Sequence, residues 1–262
     1  MTNLGGLSRW RIGIMVLAMS CIAAMAAEPG SHEKSGTLYR VLDVQARKTL
    51  RKEALWGLLS RQEVSVVHTV WRFEIHPTSG NLFDVEVRIV DGERRETSDG
   101  GSRVQYRLTE AQQGRLVATG TWNPGDHSWK KLDIALGSRD IQFISPDMVR
   151  EILDRAGLGH DSREEDGTGA EDLRIRYDFD PDVPTVDANG RFERRASVTV
   201  VAQGKPVGVG TLTMEGQVDP ECGFASEARE HLDVELSIGG HRAEITGDTA
   251  YSLKPVEEGE SR

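Results

Sequence analysis

From residue 64 onward the chain alternates apolar and polar side chains with a period of two, as half-buried strands do. The clearest stretch runs from Arg191 to Leu253. Phe192, Ala196, Val198 and Val200 share one parity, and Val207, Val209, Thr211 and Thr213 follow Lys205-Pro206. Leu232, Val234, Leu236 and Ile238 lead through Gly239-Gly240 to Ala243 and Ile245. Runs of this kind, separated by Gly-containing turns, predict an antiparallel meander. A two-residue turn at Gly239-Gly240 sets Leu236 against Ala243, Val234 against Ile245 and Leu232 against Gly247 on the apolar side. His231 then faces Asp248, and Glu235 faces Glu244, on the polar side. A turn at Gly204-Lys205 sets Val200 against Val209 and Val198 against Thr211.

Upstream, Val67, Thr69, Trp71, Phe73 and Ile75 share a parity, and Phe83, Val85, Val87 and Ile89 alternate with Asp84, Glu86 and Arg88. Asp91-Gly92 reads as a hairpin turn, with the polar Glu93 to Ser98 beyond it as an edge or loop. Further strands are expected at Val104 to Leu108, Leu116 to Trp122, Leu132 to Leu136 and Leu173 to Phe179. Two segments read as helices. In Leu38 to Gln62, Leu42, Ala46, Leu50, Ala54 and Leu58 recur every four residues, with Thr37 as a cap. The second opens on Ser145-Pro146-Asp147, buries Met148, Val149, Ile152, Leu153 and Ala156, and stops at Gly157. The expected fold is therefore mainly β: one strongly curved antiparallel sheet (half-barrel or sandwich) with an N-terminal amphipathic helix and a short central helix. A helix plus β subdomain spans 37–156, a mobile acidic loop 157–171 and the meander 172–254, the last forming one domain with 37–156, before a tail at 255–262.

This layout of helix, strands, short helix and strands resembles periplasmic half-barrels of the lipoprotein-carrier type, and also small ligand-holding barrels. No residue motif carries the likeness, so no site residue is transferred by it.

The first residues change the picture of where the chain works. Arg9 and Arg11 precede an apolar run from Ile12 to Ala23, and Ala24-Met25-Ala26 forms a small-x-small cleavage site. Residues 1–26 thus read as a secretory signal peptide, followed by a flexible segment at 27–36. The expectation is an exported chain, periplasmic or extracellular. Lipid attachment through Cys21 is the minority alternative, because Cys21 lies inside the apolar run rather than opening a polar tether. Removal of the leader leaves 30 Lys and Arg against 42 Asp and Glu, a net charge of −12. So acidic a chain is a poor partner for nucleic acid. No second long apolar run predicts a membrane-spanning helix. Only Cys222 survives processing, so stability must come from packing without an internal disulfide.

Candidate chemistry is sparse. The sequence holds no Gly-x-Ser-x-Gly elbow, no phosphate loop and no His-Glu-x-x-His. Asp178, Asp180, Asp182 and Asp187 form the densest set of hard oxygen donors and are the candidate calcium ligands; ordinary turn chemistry explains the same residues. Trp122 and Trp129 flank a Pro-Gly loop and are candidates to floor a ligand cavity, with core packing the usual fate of Trp. Arg47, Lys48, Arg51 and Lys52 form a basic helix face that could dock an anionic partner or lipid headgroup, or simply face water. The functional expectation is a non-catalytic binding protein of the cell envelope, holding an apolar or amphipathic ligand or a partner protein. The alternatives are a hydrolase using scattered carboxylates and an assembly module.

Overall fold

Strands dominate because the period of two persists almost throughout the chain. The computed structural model describes residues 36–54, 59–99, 101, 103–137, 140–158, 163–166, 173–180, 184–202, 204–238 and 241–256. In chain order these form β1 (Leu38–Ala54), β2 (Leu59–Pro77), β3 (Phe83–Ser98), β4 (Arg103–Arg107), β5 (Arg115–Asn123) and β6 (Ser128–Ile134). After α1 (Pro146–Ala156) come β7 (Arg163–Asp166), β8 (Leu173–Asp180), β9 (Arg191–Ala202), β10 (Lys205–Val218), β11 (Ala225–Ile238) and β12 (His241–Pro255). One antiparallel sheet holds all twelve strands, in the order β6-β5-β3-β2-β1-β12-β11-β10-β9-β8-β7, with β4 paired to β3 off this path. β6 and β7 are its two ends, so the sheet is open.

The predicted N-terminal helix is replaced by two of the longest strands. β1 pairs with β2 from Leu38↔Ile75 to Ala54↔Leu59, and with β12 on its other side. The physical reason lies in the spacing. Residues four apart share a helix face, but four is also even, so Leu42, Ala46 and Leu50 share a strand face equally well. Thr37 accordingly caps nothing; its hydroxyl lies 3.0 Å from His76 Nδ1.

The central helix forms as predicted. The Ser145 hydroxyl accepts the Met148 N–H at 3.1 Å, Pro146 opens the first turn, and Val149, Ile152, Leu153 and Ala156 are buried. α1 lies on the apolar face of the sheet, where Leu42, Trp71, Phe73, Ile75, Val87 and Ile89 are all buried. The sheet bends around this cluster. In a flat sheet the five strand gaps from β5 to β11 would span roughly 24 Å. Trp122 of β5 instead stacks on Phe224, next to the start of β11, with ring centroids 4.3 Å apart. Each large side chain so buried contributes roughly 1.5–3 kcal/mol.

β3 shows why the Asp91-Gly92 hairpin did not form. The strand runs through both residues to Ser98, with its register shifted beside Val70 and Trp71 of β2. Gly92 is needed for another reason: a Cβ there would come 3.2 Å from the Phe143 ring, which packs on that spot. A second shift falls in β10. Val200 faces Gly208 and Val198 faces Gly210, with the irregularity between Pro206 and Gly208. The expected partners Val209 and Thr211 therefore turn to the polar face, and Val209 is 65% exposed.

The polar face carries charge on strand after strand, including Arg47 and Arg51 of β1, Glu193 and Arg195 of β9, and Arg229 and Glu235 of β11. That is the reverse of the apolar outer band of a membrane-spanning barrel. Among the described residues no helix is long and apolar enough to cross a membrane.

Candidate functional site

The apolar face is divided in two by a polar row. The first cluster gathers around α1. The second lies on β8 to β11 and consists of Tyr177, Phe179, Ala196, Val198, Val200, Leu212, Val234 and Leu236. Half-buried Ile175, Val207, Leu232, Ala243 and Ile245 border it. The apolar side chains of α1 (Val149, Ile152, Leu153 and Ala156) all belong to the first cluster and none to the second.

Cross-strand register places the boundary. The row Phe192, Gly216, Ala228, Tyr251 and Val44 belongs to the first side. The row Ala196, Leu212, Leu232, Gly247 and Lys48 belongs to the second. Between them run Arg194, Met214, Glu230, Thr249 and Ala46. Arg155, from the last turn of α1, reaches down onto this row. Its Nε stands 3.0 Å from Glu230 Oε2, with side-chain exposures of 5% and 9%. The guanidinium lies over Tyr177 at 4.8 Å and Phe179 at 5.3 Å, and that of Arg194 lies over Phe179 at 4.3 Å. Arg194 Nη1 also donates to the Leu158 carbonyl at 2.6 Å, which ties the end of α1 to β9.

This belt is electrostatically tense. Arg155 Nε and Glu230 Oε2 are close, yet neither atom makes a hydrogen bond. Burial raises the Glu230 carboxyl above the ordinary carboxylate range against the pull of Arg155, and nearby Glu151 adds to the rise. Burial also weighs on Arg155, but Glu230 and Glu151 outweigh it and keep the guanidinium charged. Burial likewise pushes the Tyr251 phenol well above its usual range, with Glu230 adding to the effect. Burying charge without good hydrogen bonds costs several kcal/mol per ion, so this row opposes folding unless something else meets it.

The polar face holds cavities of its own. One of about 620 Å³ reaches from Val66 of β2 to Glu193 of β9, across the four strands between them. A second, of about 940 Å³, shares Glu193, Glu215, Arg229 and Ala250 with it. His231 and Asp248 meet at the wall of the first, Nδ1 to Oδ1 2.8 Å. Thr213 faces His231 across β10 and β11. The His and Asp side chains are 57% and 74% exposed, however, so water screens both.

The other predicted site residues are placed as follows. Trp122 is fully buried, and its indole N–H donates to the Cys222 carbonyl at 2.8 Å. Trp129 is half-buried beside it at 5.2 Å and donates to the Leu153 carbonyl at 3.3 Å. The two brace α1 against β5 and β6, and neither lines the cavities above. Asp178 pairs with Arg176 at 3.0 Å on the polar face, and Asp180 stands opposite Arg195. Asp187 folds its own turn by accepting the N–H groups of Asn189 and Arg191, each at 2.8 Å. Those bonds, the Arg191 one first, hold its carboxyl below the usual range. Asp182 and Cys21 lie outside the described residues. Among the described residues no three His, Cys, Asp or Glu side chains gather closely enough to hold a metal ion.

The basic patch needs correction along with its helix. On a strand, neighbours alternate, so Arg47 and Arg51 face the polar side while Lys48 and Lys52 stand on the same side as Leu42. All four are exposed. The buried Arg155–Glu230 pair escaped sequence reading altogether. Its only trace was an even-numbered Glu amid Ala228, Leu232, Val234 and Leu236, a charge on the apolar parity of its strand.

No family model matches the chain, and no curated protein matches it. Solved structures align with it only at low identity. A lipovitellin structure concerned with lipid–protein interactions aligns at 12% identity and a TM-score of 0.42, covering 86% of this chain and 26% of that one. The present chain thus spans about a quarter of the lipovitellin chain. OccK7 (OpdD) of Pseudomonas aeruginosa aligns at 6% identity and a TM-score of 0.26, covering 84% of this chain and 100% of the other. A Vibrio parahaemolyticus domain described as an outer membrane lipoprotein-sorting protein domain aligns at 10% identity and a TM-score of 0.17, covering 84% and 89%. At these values the functional reading rests on the geometry of this chain alone.

Proposed function

We propose that the chain is an exported, non-catalytic binding protein of the cell envelope that holds an amphipathic ligand on the apolar face of its sheet. The observation that carries this reading is the second apolar cluster. It is large and lies on regular strands, its members are buried beside the half-buried Leu232, Ala243 and Ile245, and the one helix described puts no apolar side chain into it. Rigid strands are a better platform for a bound chain than loops. An apolar surface bordered by a few fixed polar groups is the usual anatomy of a small-molecule site. The leader-like first 26 residues support export. A hydrolase would have to draw on the polar trough, where the His231–Asp248 pair is too exposed to work as a desolvated acid–base pair.

The test is native mass spectrometry of the exported protein with titration of a long-chain fluorescent probe, cis-parinaric methyl ester. A co-purifying mass lost on organic extraction, with saturable probe binding that Val234→Asp abolishes, is the expected result. A bare chain that binds no probe overturns the reading.

A further inference from the structure

We infer that Arg155 reads an anionic headgroup, so that the ligand is a long-chain carboxylate or phosphate amphiphile whose head displaces Glu230 from the guanidinium. The inference rests on the reading just given and adds the chemical class of the ligand.

Three observations lead to it. The first is position. Arg155 stands at the boundary row, next to the Ala196–Leu212–Leu232 row where the second apolar cluster begins. A chain lying over the half-buried Leu232, Ala243 and Ile245 that border that cluster therefore has one end beside Glu230 and Arg155. The second is incomplete pairing. An arginine kept 3.0 Å from Glu230, at 5% exposure and with Nε unbonded, has the geometry of a donor waiting for a better acceptor. A planar guanidinium prefers two parallel bonds to one carboxylate or phosphate, and Glu230 does not provide them. The third is pre-organisation. Tyr177 and Phe179 lie under the guanidinium, and Arg155 stands in the last turn of α1, whose carbonyl-rich terminus favours a cation there. The cation is thus fixed in place before any ligand arrives.

A bland alternative exists for the same residues: a buried ion pair that only holds α1 in register on the sheet. The two accounts differ in what Glu230 does. If the pair is a strut, removing the acid weakens the site. If Glu230 is a stand-in for the ligand, removing it frees Arg155 and strengthens anion binding.

The experiment compares cis-parinaric acid with its methyl ester on the full exported chain, by fluorescence titration. For the unmodified protein the acid should bind about tenfold more tightly than the ester. Arg155→Met should bring the two to equal affinity with the ester little changed, and Glu230→Gln should tighten the acid by about threefold while leaving the ester alone. Circular dichroism and urea midpoints establish that each variant is folded. Should Arg155→Met fail to fold, Glu230→Gln, which is isosteric and keeps the cation, carries the test. Equal binding of acid and ester to the unmodified protein overturns the inference, as does acid affinity that is unchanged or weaker in Glu230→Gln. Competition by inorganic phosphate alone at millimolar concentration would assign the site to a free anion and also overturn it. Binding of neither probe is a different failure, because it removes the carrier reading itself.

Discussion

Arg40, near the start of β1, donates its Nε to Asp219 Oδ2 at 2.8 Å although 179 residues separate them. It also bonds Glu221 in the same turn between β10 and β11. Arg40 is 4% exposed and Asp219 9%. The pair therefore joins the first strand to the far connection beneath the α1 cluster.

Arg40→Met should cost about 3–5 kcal/mol in urea unfolding, because it strands a buried carboxylate. Burial would raise Asp219, but Arg40 and the Glu221 N–H outweigh it and hold it below the usual carboxylate range. An acid depressed in this way stabilises the fold above its unfolded value, and that stability is lost as pH falls through the folded value. The gap between variant and parent should therefore narrow in acid. A gap that is the same at every pH would show that Asp219 is not the partner that matters.

Gly157→Ala should cost roughly 1–3 kcal/mol, measured by thermal or urea unfolding. The backbone is not the obstacle, since φ is −87°. The new Cβ would instead lie 2.7 Å from Cη2 of Trp122. That ring cannot retreat, being stacked on Phe224 and bonded to the Cys222 carbonyl. Pairing the substitution with Trp122→Phe should recover part of the loss.

Glu230→Gln should alter how stability responds to pH. An acid whose folded value is raised keeps its proton more tightly in the native chain than in the unfolded one. Ionisation then penalises folding increasingly as pH climbs from the unfolded value through the folded one. Glu230 is such an acid, because of its burial. The variant should gain on the parent as pH rises above the unfolded carboxylate value of about 4. Parallel stability curves would mean that Glu230 titrates normally.

Much of the β architecture was legible because apolar side chains predominate on one face. β11 and β12 pair with every expected partner, Val234 with Ile245 and His231 with Asp248 among them. α1 was legible from its cap and its stop. The failures share a cause, which is that short-range pattern does not see the third dimension. Leu42, Ala46 and Leu50 fit both periods, and only pairing with β2 and β12 selects the strand. Asp91-Gly92 looks like a turn until Phe143, 51 positions after the glycine, is found against it. The candidate site was nearly invisible for the same reason. Arg155 and Glu230 are 75 positions apart, and nothing local marks either as buried.

The slipped register in β10 has an evolutionary consequence. Because Val207 is the one additional residue between the pairs Pro206↔Val201 and Gly208↔Val200, losing its codon would make the hairpin regular and leave Leu212 opposite Ala196 and Met214 opposite Arg194. The hairpin between β9 and β10 should thus tolerate the loss of that one residue, so lineages of this protein are expected to vary there in length as well as in letter.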